Sequence, residues 1–461
     1  MSSDLANSIE TATNDRAAAQ VISLQRAATD FILVGSLTGL VKLVGALKSA
    51  ISVRVFGISH ALDCYLVAFA LSSLICEVLA GSLTSALIPT IARARDLHGP
   101  RQIQSGYGAI LYCAIAVLTT AGLITIVLNK LVFRIFASGF SEADLALTRQ
   151  LFVMMLPLFP LTAITAVWRA MLNSSHRFAL AALSPIATPL TATLFLCAAS
   201  VFGGIYALAL GSAVGALGEV VLLAFGVSRL GFAILPRCRR LFDFRDWLAS
   251  DYLPILTSSL VGGSRPSVDQ AVAATLSPGS VSTLHLGTRL VAMLTSLGPS
   301  AASTISLPKL SVLSAKKQWA TFRRAVQRSL VIGLLAASAL SAVLILCSHM
   351  LAYIAFEKGA THPLNISVLS QVQSVSFLQL PFSFASAILI RVIVAARLNR
   401  QLLLVSVLGF ATNLALDLVL ARFLRVSGIV LATAILQALT CLVLLLIMRR
   451  LPERDEIQAV E

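Results

Sequence analysis

Residues Gly428–Met448 read GIVLATAILQALTCLVLLLIM, and Arg449 and Arg450 follow at once. These twenty-one residues carry no charge. A helix rises 1.5 Å per residue, so about 20 apolar residues cross the hydrocarbon core of a bilayer. Leu330–Ala355 is nearly as clean. The whole chain shares this character. Of its 461 residues 57% are hydrophobic and only 12% charged, and the mean hydropathy is +0.90. A soluble globule of that composition would lack polar surface to cover its core. Disorder is excluded on the same figures. The chain is a polytopic membrane protein.

Working outward from the last segment, twelve spans are expected: Phe31–Val55, Leu62–Ala92, Ser105–Leu128, Leu147–Leu172, Ala179–Phe202, Ile205–Val227, Tyr252–Leu276, Val281–Pro308, Leu330–Ala355, Ile366–Ala396, Leu402–Ala421 and Gly428–Met448. The net charge of +15 is distributed unevenly. Twenty-two of the 35 Lys and Arg fall in segments on one side, six on the other, and seven inside spans. The positive-inside rule then sets both termini of this multi-pass protein in the cytoplasm. The same asymmetry accounts for the basicity without nucleic acid as a partner. Met1–Thr29 has no apolar core with a cleavage site and is expected to be a cytoplasmic tail rather than a signal peptide. Lys316–Arg328 places Trp319, Phe322 and Val326 at helical spacing among cations, which predicts a helix lying on the anionic inner leaflet.

The two halves repeat. Ser85-Ala-Leu-Ile-Pro89 closes the second span and Thr304-Ile-Ser-Leu-Pro308 the eighth. Pro160 in the fourth answers Pro381 in the tenth, Leu172-Asn173 answers Leu398-Asn399, and Gly204-Ile205 answers Gly428-Ile429. An offset of six spans preserves orientation, so the repeats are parallel. The fold class expected is all-α: about twelve transmembrane helices in two parallel six-helix bundles around a central cavity. The organisation is a tail at 1–29, an N-terminal bundle at 30–228, a basic cytoplasmic linker at 229–251, a C-terminal bundle at 252–449 and a tail at 450–461. Pro157, Pro160, Pro185, Pro189 and Pro381 mark expected bends.

Charges inside spans carry the functional signal. Each costs about 2.5–3.5 kcal/mol near a helix centre on insertion scales, so it must face a wet cavity, pair or snorkel. Arg54, Arg169 and Arg391 lie near span ends and are expected to snorkel. Lys42, Lys48, Arg265 and Arg289 lie deeper, in spans one, seven and eight. Lys42 and Lys48 are about 120° apart on a straight helix, with Gly45 between them to permit a bend. Arg265 and Asp269 share a helix face, as do His285 and Arg289. Spans one and seven, and two and eight, are repeat equivalents. Cations from both bundles therefore predict a cavity for an anionic substrate, with phosphate well suited to their donors. The alternative is internal pairing with Glu77 and Asp269.

A second cluster carries only oxygen and amide groups: Asp269, Asn413, Asp417, Thr433 and the Ile429 carbonyl. It suits a hard cation such as Na⁺, and interhelical hydrogen bonding is the alternative for Asn413 and Thr433. The seven cysteines stand singly with no C-x-x-C, so they read as small apolar side chains. No Walker motif and no Ser/His/Asp arrangement is present, which argues against ATP-driven transport by this chain and against an enzyme.

Several stretches resemble the MviN/MurJ-type lipid II flippases, a branch of the multidrug/oligosaccharidyl-lipid/polysaccharide exporter superfamily. Gly45-Ala-Leu-Lys48, Val53-Arg-Val-Phe-Gly57, Asp63 and Val67-Ala-Phe69 resemble their first two helices. Ala137-Ser-Gly-Phe140, Leu147-Thr148, Arg149-Gln150-Leu151, Leu172-Asn173 and Arg177-Phe178 resemble their third to fourth helices and the loop after them. Gly279-Ser-Val-Ser282, Arg289-Leu290 and Leu307-Pro308 resemble their seventh and eighth. The resemblance runs from about Leu40 to Arg450. It implies alternating-access flipping of an undecaprenyl-diphosphate-linked sugar across the bacterial inner membrane, with Lys42, Lys48, Arg289 and Asp63 at the substrate; Arg265 joins these candidates by its depth in the seventh span. It also implies a sodium site at Asp269, Asn413, Asp417, Ile429 and Thr433, with Na⁺ as coupling ion and no other cofactor. The family's cavity arginines are lysines here, its Arg-Arg pair in the second helix is Cys76-Glu77, and its acid before Arg289 is Thr288. Members with fourteen helices are usual, and twelve is the usual number for polysaccharide repeat-unit flippases. These departures favour an exopolysaccharide or other surface-glycan precursor as cargo. Membrane lipids, glycosyltransferases and a glycan polymerase are the expected partners. Lipid II is the second reading, and ion-coupled drug antiport the third, from another class.

Overall fold

The computed structural model describes residues 32–98, 107–137, 139–175, 177–198, 203–234, 236, 247–248, 252–295, 319–356, 366–395 and 399–449. The two tails, most of the 229–251 linker, Lys316 and Lys317, the Thr304–Pro308 motif and Leu398 lie outside them, as does the side chain of Arg391.

Helices stand where the hydropathy places them. The first six spans are Ile32–Phe56, His60–Ile91, Gly108–Val127, the bent pair Glu142–Met154 and Leu158–Ser174, Phe178–Cys197 and Tyr206–Arg229. In the second half, the ninth to twelfth fall within Trp319–Leu346, Ile366–Phe377 with Leu380–Ala395, Asn399–Leu424 and Val426–Arg449. Among the described residues nine helices are long and apolar enough to cross a membrane, ten with the bent pair taken as one. The seventh span is shorter in each piece because it breaks at Ser264 into Leu253–Gly263 and Arg265–Ala274. The eighth is described over 280–295. The architecture is two six-helix halves. Leu346, Phe423 and Val127 are 84%, 80% and 79% exposed, as befits side chains that meet lipid rather than water.

The repeat reappears as geometry. The fourth span bends by 44° after Met154, and Pro160 sits in the first turn of the helix that restarts at Leu158. The tenth breaks after Phe377, and Pro381 sits in the first turn of the helix that restarts at Leu380. Proline is tolerated there because first-turn N–H groups have no intrahelical acceptor. Ser341 of the ninth span donates to the freed Phe377 carbonyl at 2.8 Å.

Two sequence expectations change. Trp319–Arg328 continues without a break into the ninth span, so the described part of this segment is not a separate surface helix. No proline interrupts Trp319–Leu346, and Val326 is buried in a core with Leu330, Leu389 and Leu444. Arg169 does not snorkel. Its guanidinium pairs with Glu219 at 2.7 Å, and Glu219 also accepts from Ser184 at 3.1 Å, tying the fourth, fifth and sixth spans together.

The halves meet at two levels. A main apolar core runs through the first half into Val272, Val281 and Leu286 of the second. Lower on the second span, a π-turn at Glu77–Gly81 faces the break in the seventh. Tyr252 donates to the Leu79 carbonyl in that turn at 3.2 Å, and Trp247 stacks on Tyr252 while donating to Thr90 at 3.0 Å. The six cysteines among the described residues are all free thiols, with Cys64 and Cys441 buried and Cys197 exposed.

Candidate functional site

A cavity of about 500 Å³ lies between the halves. The first span lines it with Thr38, Lys42, Gly45, Lys48, Ser49 and Ser52, and the second with Tyr65 and Phe69. The fifth adds Pro185, Thr188 and Pro189, and the eighth adds His285 and Arg289. Three of the four deep cations thus share one space, although Arg289 is more than 240 positions from Lys48 in the chain. Among the described residues no carboxylate lines the cavity. Among the described residues the ion pairs are His60–Asp144 and Arg169–Glu219, and neither involves these cations. Pairing with Glu77 does not occur among the described residues, since that side chain is exposed in the π-turn.

Local chemistry positions each charge. A Cβ at Gly45 would stand 2.6 Å from an Arg289 guanidinium nitrogen, so the glycine leaves the room that lets the eighth span's cation lie against the first span. Lys48 donates to the Tyr65 hydroxyl at 3.1 Å. Its ammonium also lies 5.4 Å from the Tyr65 ring centroid and 4.8 Å from that of Phe69. Cations are attracted to ring faces at such distances. Tyr65 and Ser212 gave no sequence signal beyond being hydroxyls in apolar spans. Such groups, when buried, seek partners.

Arg265 and Asp63 lie elsewhere. Arg265 turns to the eleventh span, where it donates to the Ser406 carbonyl at 3.2 Å and packs over Gly409. It forms no ion pair with Asp269 within 4 Å among the described residues. Asp63 is only 3% exposed and faces the start of the eighth span instead of the cavity. Its carboxylate accepts from the backbone N–H groups of Gly279 at 2.6 Å and Ser282 at 2.8 Å. Those are orphan donors of a helix N-terminus, where a negative group is favoured. Gly279 has φ +82 and abuts Ile58, so no side chain fits this corner. Arg54 reaches across nearby to the Ile354 carbonyl at 3.5 Å, a second contact between halves at this end.

The oxygen cluster is assembled inside the second half. The Asn413 amide donates to Asp269 and to Asp417, each at 2.8 Å. Thr433 lies 3.5 Å from the other Asp269 oxygen and donates to the Ile429 carbonyl at 3.2 Å. Asp417 is fully buried, and its Oδ1 has no hydrogen-bond partner among the described residues. Two carboxylates bridged by one amide, with a buried lone-pair oxygen left over, make a donor set that fits a hard monovalent cation.

The family model described as "Lipid II flippase MurJ" matches residues 52–459. The probable lipid II flippase MurJ of Thermotoga maritima is 26% identical over 403 residues, covering 86% of this chain and 80% of that protein. The corresponding protein of Rhizobium meliloti is 23% identical, covering 87% and 76%. Among solved structures, a lipid II flippase MurJ in an inward closed conformation gives a TM-score of 0.79 at 19% identity, covering 92% of this chain and 89% of that one. An inward-facing multidrug resistance MATE family transporter gives 0.72 at 14% identity, covering 93% and 98%. At these identities the structures establish a shared fold.

Proposed function

This chain belongs to the MurJ family, and from that premise we propose that it flips lipid II, an undecaprenyl-diphosphate-linked sugar, from the inner to the outer leaflet of the inner membrane. The observation that carries the reading is the gathering of Lys42, Lys48 and Arg289 from both halves around one space without a carboxylate. Uncompensated charges there are costly, and a diphosphate relieves them. Arginine offers a planar fork to phosphate oxygens and lysine a compact point charge with three donors. The polyprenyl tail stays in lipid while the sugar occupies the cavity, and rocking of the two halves exposes it first to one side and then the other. Both termini face the cytoplasm in this scheme.

Between the two glycan-lipid readings, family membership favours lipid II. The exopolysaccharide reading draws on the lysines at 42 and 48 and on Cys76-Glu77, and it alone calls for glycosyltransferases and a glycan polymerase as partners. Antiport of cationic drugs fits poorly with a positively charged cavity, even though a MATE transporter shares the fold.

Na⁺ would be held by Asp269, Asn413, Asp417, Thr433 and the Ile429 carbonyl. When bound it would neutralise carboxylate charge inside the second half. Asn413 ties the seventh span to the eleventh through Asp269, and Thr433 of the twelfth lies against the same carboxylate.

The test is rescue of cells depleted of their essential lipid II flippase. The full chain is expected to restore growth and lipid II translocation, and Lys48→Ala or Arg289→Ala to abolish both. Translocation at the wild-type rate in both variants sinks the cationic-cavity model. Failure of the wild-type chain to rescue, with export of a surface glycan lost in its absence, returns the cargo to exopolysaccharide.

A further inference from the structure

We infer that Tyr65 is a positioning residue: it holds the Lys48 ammonium in place, pointed for a phosphate oxygen, through a one-way hydrogen-bond chain anchored on the sixth span. The inference rests on the reading of the cavity as a diphosphate site and adds a residue that the reading did not need.

The chain's direction follows from counting protons. Ser212 donates its single hydroxyl proton to the Leu208 carbonyl at 2.8 Å, one helical turn back. Toward Tyr65, 3.2 Å away, Ser212 can therefore only accept. The phenol proton of Tyr65 must go to Ser212, which leaves only lone pairs on the Tyr65 oxygen facing Lys48. The Lys48 ammonium donates to that oxygen at 3.1 Å. The sequence of donors is thus Lys48 to Tyr65 to Ser212 to Leu208, ending on a backbone carbonyl that cannot reverse.

Two consequences follow for binding. First, Tyr65 cannot itself donate to a phosphate while the chain is intact, so its role is indirect. Second, the ammonium has three donors and uses one, leaving two for an anion. Tyr65 and Ser212 are 1% and 0% exposed, and the Tyr65 ring is stacked on Phe69 with centroids 5.8 Å apart. The acceptor is therefore fixed in space. A free lysine stem would lose rotamer entropy on gripping a headgroup, and this cradle imposes that loss before the ligand arrives.

The experiment measures binding of undecaprenyl diphosphate to the purified full-length chain in lipid nanodiscs, for Lys48→Ala, Tyr65→Phe, Ser212→Ala and the Tyr65→Phe/Lys48→Ala double variant. Lys48→Ala is expected to weaken binding by about tenfold or more, and Tyr65→Phe by about five- to tenfold, the scale of one typical net hydrogen bond. The double variant is expected to bind no worse than Lys48→Ala alone, because Tyr65 acts only through Lys48. A merely structural tyrosine would give losses that multiply, and that result overturns the inference. So does wild-type binding by Tyr65→Phe. Should Tyr65→Phe not fold, Ser212→Ala breaks the same chain one bond farther on, and an unchanged affinity there is equally fatal. Wild-type binding by Lys48→Ala defeats the diphosphate reading itself, and the positioning role with it.

Discussion

The Asp63 carboxylate of the second span caps the eighth span across the interface between halves, with the N–H groups of Gly279 and Ser282 at 2.6 and 2.8 Å. A residue implied at the substrate thus acts as a joint between the halves in this conformation. Loss of an N-cap side chain costs about 0.5–2 kcal/mol, and the buried setting argues for the upper end. Asp63→Ala is expected to lower the melting temperature and slow translocation, yet leave undecaprenyl diphosphate affinity within about twofold, since additivity holds for sites that share no partner. Thermal unfolding and nanodisc binding on the same sample check this. A variant with intact melting and lost affinity would put Asp63 back at the headgroup.

Gly45 offers a sign that stability and function respond oppositely. Alanine in a helix interior is favoured over glycine by about 0.5–1 kcal/mol. The added Cβ would stand 2.6 Å from an Arg289 guanidinium nitrogen, so the guanidinium must move. Gly45→Ala is expected to melt no lower than wild type while binding undecaprenyl diphosphate about tenfold more weakly, the scale of one charge-assisted hydrogen bond. Equal affinity would show that Arg289 reaches the anion from another position.

The Arg169–Glu219 pair should behave as a structural lock. Removing one partner of a fully buried pair typically costs about 3–5 kcal/mol because the other charge stays behind, and less is expected here because the Arg169 side chain is 30% exposed; replacing both by apolar groups is often neutral. Glu219→Gln and Arg169→Met are each expected to unfold at markedly lower temperature, and the double variant Arg169→Met/Glu219→Leu to recover most of the loss. Single variants that melt like wild type would show that the pair adds nothing.

The oxygen cluster makes a prediction that needs no transport assay. If Asp417 with its unpartnered oxygen helps to hold Na⁺, a ligand that binds only the folded state raises its stability. The wild-type chain is expected to melt at a higher temperature in sodium chloride than in choline chloride at equal ionic strength, and Asp417→Asn to show no difference between the two salts. A sodium effect that survives in Asp417→Asn places the ion elsewhere.

What the sequence decided by itself is the set of spans, their repeat and the presence of deep cations. Hydropathy integrates over some twenty residues, so it survives ignorance of any one contact. Cost in the bilayer marks Lys42, Lys48 and Arg289 wherever they point. Even the fourth and tenth span breaks were foreshadowed by Pro160 and Pro381, because proline acts on its own backbone. Tertiary structure alone decided which charge meets which group. Arg265 and Arg289 lie in consecutive spans of the same half, yet one turns to the Ser406 carbonyl and the other to the cavity. Arg169 found Glu219 fifty positions away, and Asp63 found backbone donors 216 and 219 positions away. A side chain's reach is a few ångströms, whereas sequence spacing fixes direction only within a single helix. Once partners lie on different helices, packing of the whole bundle sets the outcome. Tyr65 and Ser212 show the same rule at its sharpest, since the direction of their hydrogen bonds exists only when three spans are assembled.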